Sequence, residues 1–74
     1  MFIKNRNNSI CINADHITEF CIKEIDNKFY LYAMLSYHGQ CEKLIYVSNL
    51  KQDVNDYLDY ILNNWNSGPI FNLK

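Results

Sequence analysis

The chain has 74 residues, 49% hydrophobic and 20% charged, with seven Lys and Arg against eight Asp and Glu for a net charge of −1. That length allows one small core and excludes a multidomain enzyme, while the apolar content excludes a chain that stays disordered. The near-neutral balance lacks the basic excess that a run of phosphates demands, and its weak colloidal repulsion favours self-association or a stable complex.

Apolar residues alternate in short runs from Met1 to Val47, and from Asn49 onward their period becomes that of a helix. Phe2 to Lys4 and Ser9 to Ile12 read as two strands of a small hairpin around Asn5-Arg6-Asn7-Asn8, whose Asn residues tolerate left-handed turns. Asn13-Ala14-Asp15-His16 is the next break, with Asp15 as the expected cap of that turn. Strands follow at Ile17 to Glu24, Phe29 to Ser36 and Cys41 to Val47, the last two separated by Tyr37-His38-Gly39-Gln40.

Ser48-Asn49 offers a helix N-cap, and Gln52 stands three residues after Asn49, where it completes a capping box. Leu50, Val54, Tyr57, Leu58, Ile61 and Trp65 form one stripe, with Asp53, Asp56 and Asp59 away from it. The expected helix covers 49–66 and buries the stripe. Ser67-Gly68-Pro69 ends it, Gly68 being expected to take the left-handed cap. The tail 69–74 is too apolar to stand in solvent and is expected to dock on the sheet or on another chain.

These elements predict one α+β domain over 1–74: an antiparallel meander of four or five strands within 2–47 and one C-terminal helix on one face. A two-residue turn at Asp26-Asn27 would set Ile25 opposite Lys28, Ile22 opposite Leu31 and Phe20 opposite Ala33. Phe20, Ile22, Leu31, Ala33 and Leu35 then share the helix-covered face, with Ile10 and Ile12 joining them and small Ala33 giving the helix room.

The other face receives Cys21, Tyr30, Tyr32 and Met34, interrupted by Glu19 and Lys23, where a solvated antiparallel sheet would be polar. The last strand adds Ile45 and Val47 in one register, or Leu44 and Tyr46 in the other. Unless the tail covers it as a second small core, this face is expected to bind a protein partner or a second copy. Cys21, Tyr30, Tyr32, Met34 and Tyr46 are the partner-binding candidates. Tyrosines on a sheet could also stack the bases of single-stranded nucleic acid, but Glu19 and Glu42 offset Lys23, Lys28 and Lys43 there, so nucleic acid is the weaker partner.

No catalytic, cofactor or metal site is expected. Cys11, His16, Cys21, His38 and Cys41 lack the paired spacing of a structural zinc site. Asp15 and His16 beside Cys21 have no cleft to hold them as a catalytic group. Gly39 and Gly68, the only glycines, form no phosphate loop. An odd number of cysteines suits a reducing cytoplasm, and neither a leader's apolar segment nor a bilayer-spanning run is expected.

The stretch Ile12 to Ile22, followed by Tyr32-Ala33 and by Tyr57-Leu58-Asp59-Tyr60-Ile61-Leu62, resembles a group of small proteins from low-GC Gram-positive bacteria and their phages and prophages. That resemblance implies short strands, one helix and an apolar tail, without catalytic residues. By analogy it implies a small inhibitor of the anti-CRISPR or anti-defence kind, which acts by occluding a partner's surface.

Overall fold

Asp26 and Asn27 both lie in the left-handed region, at φ of 51° and 64°, as the central residues of a tight two-residue hairpin turn require. In this computed structural model, which describes residues 1–5, 10–36, 41–66 and 68–73, they join β3 (Ile17–Ile25) to β4 (Lys28–Leu35). The expected register holds: Ile25 faces Lys28, Ile22 faces Leu31 and Phe20 faces Ala33. β5 (Cys41–Ser48) adds to the other edge of β4, completing an antiparallel meander in the order β3-β4-β5. The expected loop Tyr37 to Gln40, residues Arg6 to Asn8 of the first turn, and Ser67 lie outside the described residues.

The fold is α+β, but among the described residues the strands number six and form two sheets. β1 (Phe2–Lys4) pairs antiparallel with β2 (Cys11–Asn13), Ile3 opposite Ile12, and pairs parallel with β6 (Ile70–Asn72) on its other edge. The tail therefore docks on its own chain. The Phe2 N–H donates to the Pro69 carbonyl at 2.9 Å and the Leu73 N–H to the Lys4 carbonyl at 2.6 Å, so backbone bonds hold the tail at both ends. Ile12 is buried, but from this smaller sheet, because a 3-10 turn over Ala14–His16 separates β2 from β3. Asn13, rather than Asp15, caps that turn: its side-chain oxygen accepts the Asp15 N–H at 3.0 Å.

The helix α1 runs over Lys51–Asn63, shorter than 49–66 at both ends. Leu50 occupies the N-cap position without a side-chain cap, and the expected Asn49–Gln52 box does not form. Ser48 replaces it: its hydroxyl accepts the Leu50 N–H at 3.1 Å and donates to the Asp53 carboxylate at 2.9 Å. Leu50 consequently leaves the buried stripe and is 62% exposed. At the far end the left-handed residue is Asn66, at φ 62°, not Gly68.

Val54, Tyr57 and Ile61 of α1 are buried in one cluster with Ile3, Ala14, Leu31, Phe71 and Leu73, which draws on both sheets and the helix. Phe20 and Trp65 pack on it edge to face, ring centroids 6.0 Å apart. Each large side chain buried here contributes about 1.5 to 3 kcal/mol, and the tail supplies two of them.

Candidate functional site

Alternation along β3 and β4 sends every second residue away from α1. Three rows cross this second face: Lys23-Tyr30-Val47, Cys21-Tyr32-Leu44 and Glu19-Met34-Glu42, with Ile25 and Lys28 a partial row at the hairpin end. Leu31, Ala33 and Leu35, on the opposite side of β4, are fully buried. On the second face Tyr30, Tyr32, Met34 and Cys21 are only half-buried, while Ile25, Val47 and Leu44 are 48%, 38% and 40% exposed. None of these residues packs on the buried cluster, and the tail, paired to β1, is spent on the other side of the molecule.

Of the five partner-binding candidates, the structure brings Cys21, Tyr30, Tyr32 and Met34 together on this face and removes Tyr46. The register of β5 shifts between Leu31 and Tyr32: Leu31 faces Tyr46, Tyr32 faces Leu44, and Ile45 is the extra residue of a bulge. Neither expected register therefore applies along the whole strand. Leu44 and Val47 both reach the open face, whereas Ile45 and Tyr46 pack on the core. Half-buried Tyr46 stacks on Tyr57 there, and that contact accounts for its position.

The centre of the face is organised by an ion pair. Lys23 donates to the Glu42 carboxylate at 2.7 Å, and its ammonium lies 4.9 Å from the centre of the Tyr32 ring. Tyr32 in turn stacks with Tyr30, centroids 6.4 Å apart and planes 19° from parallel. The hydrogen bond that Lys23 donates to Glu42, reinforced by that carboxylate's charge, holds Lys23 protonated above its usual range. Both partners are exposed, so the pair adds little to stability. What it does is orient a tyrosine ring. On either side of this pair the remaining charges differ in sign, with Lys28 at the hairpin end and Glu19 at the opposite end.

The sequence signals missed here are Ile25, which belongs to the face through the hairpin register, and the joint presence of Leu44 and Val47, which needed the bulge. Elsewhere, Asp15 and His16 are exposed in the 3-10 turn, and Cys11, Cys21 and Cys41 are unpaired on three different strands. Among the described residues no three metal-ligating side chains gather. A shallow hollow between β5 and α1 is lined by Tyr46, Asp53, Asp56 and Tyr57. Its carboxylates already accept bonds, Asp53 from Ser48 and Asp56 from Gln52 at 2.8 Å. No described helix is long and apolar enough to cross a membrane.

The chain finds no match among protein-family models, curated proteins or solved structures.

Proposed function

We propose that the protein is a non-catalytic protein-binding module that docks through the β3–β4–β5 face turned away from α1. One observation carries this reading: a contiguous patch of Tyr30, Tyr32, Met34, Leu44 and Val47 lies on a sheet face that neither the helix nor the described tail covers. Tyr and Met are enriched where proteins meet, and an exposed apolar patch on a sheet is a feature of interaction surfaces. A module of this kind acts by occupying its partner's surface, as a small phage or prophage inhibitor would. Its unpaired cysteines suit a reducing cytoplasm.

Binding of single-stranded nucleic acid is the weaker reading, because Lys23, the cation nearest the tyrosines, is already committed to Glu42. The test is site-specific photo-crosslinking in extract of the encoding cells, with a photoreactive phenylalanine at Val47 or, on the helix's solvent side, at Asp59. The expected result is a discrete protein adduct from position 47, competed away by excess unmodified chain, and none from position 59. Equal labelling from both positions, or nucleic acid as the only adduct from position 47, overturns the reading.

A further inference from the structure

Resting on that reading of the face, we propose that its occupant is a second copy of this chain, packed face to face about a two-fold axis that runs across the strands. Lys23 and Glu42 neutralise each other across the middle of the face, which leaves opposite charges at its two ends, Lys28 by the hairpin and Glu19 six residues along β4 from Lys28, in the row of Met34. Asp26, the acid at the hairpin end, belongs to the turn and not to the ladder. A surface of this kind is complementary to itself when its two ends exchange places.

Sheets that pack face to face keep their strands within about 30° of alignment, which leaves two ways to relate the copies by a two-fold axis. With the axis along the strands, like ends coincide: β3 lies over β5, Glu19 meets the partner's Glu42, and Lys28 meets the partner's Lys28. With the axis across the strands, each strand lies over its own counterpart with its ends reversed. Lys28 then sits over the partner's Met34 beside the partner's Glu19, and Tyr30 sits over the partner's Tyr32. Lys23 keeps its intramolecular bond to Glu42 and faces the partner's Cys21. Only the second arrangement brings Lys28 and Glu19 to opposite charges.

The size of the face sets the strength. Three strands about 4.8 Å apart and six steps of about 3.4 Å project to roughly 300 Å² per copy. That falls well short of the roughly 800 Å² per partner of a stable interface, so the dimer should be weak and reversible.

Sedimentation velocity over a concentration series from about 10⁻⁵ to 10⁻³ M tests the proposal with the intact chain and charge-reversed variants. Lys28→Glu alone and Glu19→Lys alone should each weaken dimerisation about tenfold or more, and an equimolar mixture of the two should restore it, because each variant then meets its complement. Lys51→Glu, the same charge change on α1, should leave it unaltered. All three positions are exposed, and circular dichroism of each variant is the control that it is folded. Tightening by Glu19→Lys would establish the other axis and overturn the geometry. Dimerisation insensitive to both face variants would place the interface elsewhere. A wild-type chain monomeric throughout the series would exclude a second copy as occupant, while a specific adduct to a different protein from position 47 would still uphold the docking surface.

Discussion

Tyr46 of β5 lies flat against Tyr57 of α1, their ring centroids 4.1 Å apart and their planes 4° from parallel. This contact is the visible consequence of the bulge at Ile45, which turns Tyr46 to the helix while leaving Leu44 and Val47 on the open face. Tyr46 is therefore a core residue and Tyr32 a surface residue, although both stand on the same sheet. Tyr46→Ala should cost about 2 to 3 kcal/mol, from lost burial and lost ring contact. Tyr32→Ala should cost about 1 kcal/mol or less. Urea denaturation of the two variants measures the difference, and equal losses would mean that both rings serve the core.

The hairpin turn gives a second prediction. Asn27 at φ 64° sits where a β-branched residue is strained by about 1 to 2 kcal/mol and where glycine is preferred. Asn27→Val should lower the melting temperature and Asn27→Gly should hold or raise it. A Val variant as stable as wild type would mean that the turn has changed type.

At the end of the helix the left-handed residue and the glycine are different positions. Asn66→Gly should be neutral or stabilising. Gly68→Ala, where an added Cβ meets nothing within 4 Å, should also be tolerated, with a gain of up to about 1 kcal/mol from the unfolded chain. Thermal melts decide this, and a large loss from Gly68→Ala would return the cap to the glycine.

The tail is structural. Phe71 and Leu73 are buried beside Ile3 and Ile61, so Phe71→Ala should cost about 3 kcal/mol. Removing residues 70–74 should abolish cooperative unfolding. A truncated chain that still melts cooperatively near the wild-type temperature would show that β6 only rests on the surface.

The Lys23–Glu42 pair predicts a pH effect with a definite sign. The folded-state pKa of Lys23 is raised above 10.5, so its contribution is complete at neutral pH and is lost only as the pH climbs through that higher value. The Lys23 side-chain resonance should titrate later in wild type than in Glu42→Gln. Coincident titrations would mean that the 2.7 Å contact does not persist in solution.

Local chemistry made much of this fold legible in advance. The Asp26-Asn27 turn determined the β3–β4 register, and with it the assignment of Phe20, Ile22 and Leu31 to one face and Cys21, Tyr30 and Tyr32 to the other, because side chains alternate strictly about a two-residue turn. The 3.6-residue stripe of Val54, Tyr57 and Ile61 likewise announced the buried side of α1.

Three things were decided only by tertiary packing. The bulge at Ile45 carries no local signature: alternation in Cys41 to Val47 fits either register, and the space beside Tyr57 selects the one that stacks Tyr46 there. The parallel pairing of β6 with β1 joins residues nearly the whole chain apart, which no local pattern encodes. Lys23 meets Glu42 across the width of the sheet, and the bulge again decides that approach. Sequence alone thus determined that the larger sheet has an apolar second face; the packed chain decided which residues stay there, because a long-range contact depends on where every intervening turn has carried the backbone.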